Sequence, residues 1–437
     1  MLDGASIFLF LLVLDACVTE YTEEKYIPIY ETVKKVRFLY ETTSRYHYYR
    51  EAFANLSMPF AYIDLDLLDQ NMAEIVARSN GKRIRIASKS IRSIPMLRYI
   101  LDYDPLIQGI MCFTASEALF LWENGFHNLL LGYPVVDRSS LLAIARAVQQ
   151  GAQITLMVDS LEHISLAEEV AKQVSTPLLL CVEMDASDSF WGLHIGVYRS
   201  SLRTFEQVMQ MVERIGTSPW LMLDGIMSYE AQIAGVGDNM PGHGFKNGVI
   251  SYLKKRSIRV VREKRKRVDD ELQRQHISLR FFNGGGTGSM SSTCYENAVT
   301  EVTVGSGFYA PALFDYYKEF HFQPAAGFAV EIVRQPRFNI YTCMGGGYVA
   351  SGAIGKEKLP LPYLPPQAAL LRLEGAGEVQ TPVRYEGDQK LAIGDPIFFR
   401  HSKAGELCER FPTLHLLRKG KRIGEAITYR GEGRCFL

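Results

Sequence analysis

Two short stretches of this chain carry residue types that can do chemistry. The first, Ser88-Lys89-Ser90, closes the alternating segment Ile84-Arg85-Ile86-Ala87, and the chain then reads helical from Ile94 to Leu101. A lysine amine forms a Schiff base with a carbonyl when neighbours or desolvation lower its pKa. Taken alone, these residues describe no more than a surface lysine at a strand end. The second stretch is Asn283-Gly284-Gly285-Gly286-Thr287-Gly288-Ser289. Glycines let successive backbone N–H groups turn toward one anion, and Thr287 and Ser289 add hydroxyl donors. A flexible turn has the same composition, so the run gains meaning only from its place in the fold.

The elements that must position these residues alternate along the chain. Short apolar strands are expected at 84–88, 108–113, 128–132, 153–158, 178–184, 222–228, 279–283 and 300–304. Helical patterns over 94–101, 115–124, 138–149, 160–173, 200–215 and 246–275 separate most of them. Asp66 is the expected N-cap of an earlier helix over 67–78. This alternation points to an α/β fold, a (β/α)8 TIM-type barrel. A doubly wound open sheet competes with it, because 284–299 is rich in Gly and Ser and holds no long helical pattern. The residues that follow the strands include Lys89, Gly132-Tyr133, Asp159, Asp185, Tyr229 and Gly305-Ser306. Polar and glycine residues therefore gather at one end. Barrel folds place their chemistry there, and phosphate sites commonly follow strands seven and eight. The glycine run follows strand seven, Gly305-Ser306-Gly307 follows strand eight, and Lys89 follows strand one. A phosphate anchor facing an imine-forming lysine matches pyridoxal phosphate, which carries a phosphate at one end and an aldehyde nearby.

Composition narrows the remaining classes. The 437 residues are 47% hydrophobic and 22% charged, enough for two domains. Lys+Arg and Asp+Glu are both 48, so no net charge attracts the chain to nucleic acid or to an anionic membrane. The basic run over 254–267 is followed by Asp269, Asp270 and Glu271, and Ile258, Val261 and Val268 give it an apolar face. It reads as a solvated barrel helix. Seven scattered cysteines without a CxxC pair fit free thiols in a reducing compartment, so a cytoplasmic location is expected. The apolar run Ile7–Leu14 is too short to span a bilayer, and Asp3 without any Lys or Arg before it argues against an export signal. Residues 19–55, rich in tyrosine, read as a helical arm that packs on the body or on a partner subunit. After about residue 325 the texture becomes all-β, with alternating segments at 327–334, 338–343, 368–373, 396–400 and 413–418 and a Pro-rich loop at 360–366.

Several motifs recur in one order. They are Phe60-Ala-Tyr-Ile-Asp-Leu-Asp66, Ile86-Ala-Ser-Lys89-Ser90, Leu131-Gly-Tyr-Pro134, Val158-Asp-Ser160, Gly284-Gly-Gly-Thr-Gly288, and Thr300-Glu-Val-Thr-Val-Gly-Ser306 followed by Tyr309. In this order the chain resembles the fold-type III pyridoxal-phosphate enzymes, and within them the D-threonine aldolase and D-serine dehydratase branch, the amino acid deaminase/aldolase group. The resemblance covers roughly 58–437. It implies an arm or leader over 1–57, a strand over 58–66 joining the β-domain, an alanine racemase-like barrel over 67–323 that binds the cofactor, and a C-terminal all-β domain over 324–437. It implies a homodimer with its site where barrel and β-domain meet. Lys89 would be the catalytic Schiff-base lysine. Gly285, Gly286, Thr287, Ser306 and Tyr309 would hold the phosphate or its surroundings, and Tyr229 would line the pocket. The branch also implies a divalent metal, zinc or manganese, held here by His401 and Cys408. Imidazole and thiolate suit zinc. Six residues separate the two, where the branch has one, and Ile91 stands where it often carries a histidine. The implied activity is that of a pyridoxal-phosphate lyase on D-configured β-hydroxy amino acids. Cleavage would give glycine and an aldehyde; dehydration would give a keto acid and ammonia. An amino-acid racemase on the same fold, needing no metal, is the alternative.

Overall fold

The computed structural model describes residues 42–190 and 192–437. Eight parallel strands close into a barrel. In chain order these are β2 (Arg83–Ala87), β3 (Ile107–Cys112), β4 (Leu129–Pro134), β5 (Ile154–Val158), β6 (Leu178–Glu183), β9 (Leu221–Ser228), β10 (Phe281–Gly284) and β11 (Glu301–Val304). β11 returns to β2 with Val302 opposite Ile84, which closes the ring and excludes the open sheet. The expected helices are present, from Ile94–Leu101 to the 31-residue helix Gly244–Arg274. Between β10 and β11 only two short turns form, a 3-10 turn at Thr287–Ser289 and an α-helical turn at Met290–Thr293, so the Gly/Ser-rich connection is a tight loop inside a complete barrel. A hairpin of β7 (Asp188–Phe190) and β8 (Leu193–Ile195) is inserted after β6.

The barrel interior is layered. One layer is apolar: Leu130, Met157, Cys181, Met227 and Phe281, with Met111 packed against them. Another is ionic. Arg85, fully buried, makes two bonds to Glu301 at 2.7 and 2.9 Å, and Arg280 donates to Asp224 at 2.8 Å. Buried charges of this kind persist only when paired and hydrogen-bonded. Alternation alone did not announce that Arg85 points inward.

The first helix begins at Leu65, two residues before the expected start. Its N-cap is Asp64, whose side chain accepts from the N–H groups of Asp66 (3.0 Å) and Leu67 (3.1 Å). Asp66 therefore lies within the first turn, where its charge still favours the helix. The preceding strand, β1 (Phe60–Asp64), is wholly buried. It runs antiparallel to β12 (Ala326–Arg337) and parallel to β18 (Thr413–Arg418), in the middle of a nine-stranded sheet. The other strands are β13 (Ile340–Met344), β14 (Leu361–Leu364), β15 (Ala368–Leu370), β16 (Gln380–Tyr385), β17 (Pro396–Arg400) and β19 (Lys421–Ile427). β14 occupies part of the expected Pro-rich loop. It pairs only with β17, an edge position where Pro362 costs no ladder bond.

The helix over 42–52 packs on this sheet through Tyr46, Tyr49 and Phe53, which meet Phe60, Tyr62 and Phe398. The Tyr49 hydroxyl donates to Asp64 at 2.7 Å. The rest of the expected arm and the apolar run Ile7–Leu14 lie outside the described residues. No helix among the described residues is long and apolar enough to cross a membrane. The basic run lies in the helix Gly244–Arg274, which buries Lys254, Ser257, Val261, Arg265, Val268 and Leu272 at helical spacing. Arg265 is thus core, a correction to the reading of this run as solvated.

Candidate active site

A cavity of about 480 Å³ opens at the carboxyl ends of the barrel strands. Its walls come from the barrel and, through Glu357, Lys358, Lys403 and Ala404, from the β-domain side. Lys89 stands in the single 3-10 turn Ser88–Ser90 directly after β2. Its Nζ donates to the Tyr133 hydroxyl at 3.2 Å. Tyr133 is the penultimate residue of β4, and the Arg199 guanidinium lies over its ring at 4.6 Å. Arg199 is itself fixed by an ion pair to Glu183 at the end of β6 and by a bond to the Gly132 carbonyl at 2.5 Å. Burial raises the Tyr133 phenol, but the charges of Lys89 and Arg199 outweigh it and hold the phenol below its usual range.

The glycine loops form the opposite wall. Gly285 needs its left-handed φ of +77° to turn the chain, and its N–H donates to Glu230 at 3.1 Å. A Cβ at Gly286 would lie 3.2 Å from the Tyr229 ring, and one at Gly305 would lie 2.6 Å from Ser90 Oγ. A side chain at Gly286 would crowd Tyr229 and Ala234, and one at Gly305 would collide with the turn that carries Lys89. Thr287 joins the loops: its hydroxyl accepts from the Gly307 N–H at 3.1 Å. Gly285, Gly286, Thr287, Ser306 and Tyr229 all line the cavity, together with Lys89. Burial pushes the Tyr229 phenol up to about 12.

Beneath the first loop lies a buried ionic knot. Arg265 pairs with Glu230 and with Glu296 (2.9 Å) and donates to the Ser228 carbonyl at 2.5 Å. Glu230 also accepts from Thr293 at 2.5 Å. Burial pushes the Glu230 carboxyl upward, but Arg265 and the Thr293 and Ser289 hydroxyls outweigh it and keep the group ionised. The chain thus holds the Gly285 turn with a fixed carboxylate rather than leaving that N–H for an anion.

A second carboxyl braces the lysine turn from behind. Glu117 accepts from the Phe113 N–H at 2.8 Å and from the Tyr429 hydroxyl at 3.0 Å. Burial raises its pKa to about 7 against these bonds. The folded state therefore holds this proton more tightly than the unfolded chain does. Its stabilising contribution is full in acid and is lost as pH rises from the ordinary carboxylate range through about 7. The loss amounts to at most about 3 kcal/mol. Urea midpoints measured at pH 5 and pH 8 should fall between the two for the parent and hold steadier for Glu117→Gln. Parallel behaviour of the two proteins would refute this assignment.

Three expected site residues fall elsewhere. Tyr309 is buried outside the cavity wall, and its hydroxyl donates to the Ile91 carbonyl at 3.4 Å. It braces the lysine turn rather than touching a phosphate. Cys408 donates its thiol to the same carbonyl at 3.2 Å, and burial pushes that thiol up to about 12. His401 is fully buried, with neither ring nitrogen in hydrogen-bond geometry and the backbone of Ala326 and Ala404 nearest. Burial lowers its pKa to about 3. Neither His401 nor Cys408 lines the cavity, and among the described residues no group of three or more His, Cys, Asp or Glu side chains is arranged to hold a metal ion. A Lewis acid must reach the reacting oxygen. This donor pair does not fit a metal that acts on a substrate at Lys89.

The residues between them have been turned to another use. Gly405 packs on the Lys89 and Ser90 backbone, and Lys403 reaches the cavity with its Nζ on the Ser351 carbonyl at 3.0 Å. Sequence reasoning did not find the roles of Tyr133, Arg199, Lys403 or Glu230. Tyr133 stood among the residues following strands. Arg199 and Lys403 come from irregular segments and carry no local signal.

A closed barrel carries a lysine after its first strand and two glycine turns after its last two, all lining one cavity. The chain belongs to the family described as alanine racemase, N-terminal domain, matched over residues 63–311, the fold-type III pyridoxal-phosphate barrel. It is 24% identical over 255 residues to 3-hydroxy-D-aspartate aldolase of Paracoccus denitrificans, covering 58% of this chain and 60% of that protein. The matched region thus spans about three-fifths of that curated relative. Among solved structures, D-threonine aldolase from Filomicrobium marinum superposes with a TM-score of 0.72 at 18% identity, over 88% of this chain and 97% of that one. D-threo-3-hydroxyaspartate dehydratase from Delftia sp. HT23 follows with 0.69 at 16% identity, over 86% and 98%. These likenesses establish the fold, including the β-domain beyond residue 311.

Proposed function

We propose that the protein is a pyridoxal-phosphate lyase acting on D-configured β-hydroxy amino acids. The observation that carries this reading is the placement of Lys89 across one cavity from the turns at Gly285–Thr287 and Gly305–Ser306. The cavity falls within the size range of small-molecule sites, ~300–1,000 Å³. The names of the relatives, two aldolases and a dehydratase, support the substrate class.

The residues fit the cofactor. Lys89 would hold its aldehyde carbon; Gly286, Thr287 and Ser306 would hold its phosphate; Tyr229 and Arg199 would flank its ring. When bound, the cofactor supplies an electron sink that lets a bond at the substrate Cα break heterolytically. The chain's own residues do the rest. Lys89 Nζ returns a proton to Cα or removes one. Lys358 and Lys403 would supply positive charge for a substrate carboxylate from the β-domain wall. Burial of the cavity floor by Met111, Cys112 and Met227 limits water. No step is assigned to a metal, because the donor pair lies outside the cavity.

The products test the reading. Protein loaded with pyridoxal phosphate should turn D-threonine or D-threo-3-hydroxyaspartate into glycine plus aldehyde, or into an oxo acid plus ammonia, and should leave the L-isomers intact. Prior treatment with a chelator should leave the rate nearly unchanged, because His401 and Cys408 lie outside the cavity. Interconversion of D- and L-alanine, with no lyase products, would overturn the reading in favour of a racemase.

A further inference from the structure

We propose that Tyr133 is the proton acceptor for the substrate's β-hydroxyl group, an inference that rests on the lyase reading. The substrate's amino nitrogen must take the place of Lys89 Nζ. Its Cα is then one bond away, its Cβ two, and the hydroxyl oxygen three. A group in hydrogen-bond contact with Lys89 Nζ is therefore within reach of that oxygen, and the Tyr133 hydroxyl makes this contact at 3.2 Å.

The other cavity groups are poorly suited. Among the described residues lining the cavity there is no histidine, and the one carboxylate is Glu357. Lys403 is bound to Ser351 through its carbonyl (3.0 Å) and its hydroxyl (3.2 Å). Three further tyrosines line the cavity, Tyr229, Tyr316 and Tyr317, and burial raises all three. Tyr133 alone among them is lowered, because the charges of Lys89 and Arg199 outweigh its burial; Lys403 and Tyr229 are its other titrating neighbours. A general base works best when its pKa lies near the working pH. The ring is also held in place, with Arg199 over its face and that arginine tied to Glu183 and to Gly132, the residue before Tyr133.

The step balances without a co-reactant. The Tyr133 phenolate takes the β-hydroxyl proton. An oxygen lone pair becomes the second carbonyl bond of the departing aldehyde as Cα–Cβ breaks. The electron pair of that bond stays with the Cα fragment, which takes a proton from the Lys89 ammonium; the Lys89 amine so freed would retake its place and release the glycine nitrogen, which would accept the proton held on Tyr133 and restore the phenolate.

Two readouts test the proposal. In the cofactor-free protein, ultraviolet difference titration should find a phenol ionising below the ordinary tyrosine range, and Tyr133→Phe should remove it. In the loaded protein, Tyr133→Phe should lower kcat for D-threonine cleavage by about 10²–10⁴-fold with KM changed only severalfold. The same variant should still exchange the α-hydrogen of glycine with solvent deuterium, since glycine has no β-hydroxyl. Cleavage at the parent rate would overturn the proposal, as would equal loss of cleavage and exchange, the mark of a purely structural residue. A parent protein that neither cleaves nor exchanges would refute the lyase reading instead, and the titration would then decide whether Tyr133 is set up as an acceptor.

Discussion

Lys89→Ala should lower kcat by at least about 10³-fold, because it removes both the amine that holds the cofactor and the proton carrier at Cα. The turn at Ser88–Ser90 places Nζ at the cavity wall, while Ser88 and Ser90 are buried and fix the backbone. The glycine turns are untouched by this change, so phosphate binding should persist. Equilibrium dialysis should find the variant still binding pyridoxal phosphate, weakened but saturable, without the visible band that borohydride bleaches. A variant retaining more than about a tenth of the parent rate would show that another lysine serves. Lys246, Lys358 and Lys403 line the same cavity, so that outcome is chemically available.

Arg265→Met should destabilise the fold by about 3–5 kcal/mol, because it leaves Glu230 and Glu296 buried without their cation. Arg265 has no exposed surface, and Glu230 none. The effect should reach the site, since Glu230 holds the Gly285 N–H and the Thr293 hydroxyl. Urea unfolding and pyridoxal phosphate affinity, measured on the same preparation, should both fall. Adding Glu296→Gln to the variant should recover part of the stability by removing one of the stranded charges. A loss under about 1 kcal/mol would mean that water or a rearranged side chain neutralises the knot.

The barrel was legible because its strands are short, apolar and regularly spaced. Where 284–299 offered no helix, the closure through β11 and β2 comes from backbone pairing that leaves no local pattern. The glycine turn after β10 was legible for a conformational reason: a position such as Gly285, with φ of +77°, strongly favours glycine. Arg265 was misread because it sits among solvated basic residues, and its partners lie 35 and 31 residues away in sequence. Arg85 was hidden likewise by its distance from Glu301. In the β-domain, β16 and β19 went unseen because their alternation is broken by polar side chains, and β14 because prolines at an edge mimic a loop. His401 and Cys408 have the right chemistry for zinc, but the chain between them folds toward the cavity as Lys403–Gly405 while both ligand candidates turn into the core. Spacing warned of this change without showing its direction.

One particular lysine, Lys89, is expected to carry the cofactor. Four lysines line the cavity, Lys89, Lys246, Lys358 and Lys403. The direct measurement is to load the protein with pyridoxal phosphate, reduce it with borohydride, digest it, and locate the added mass on a peptide. The expected result is a single modified residue, Lys89, at a stoichiometry approaching one per chain. Modification centred on another lysine, or spread evenly among them, would contradict it.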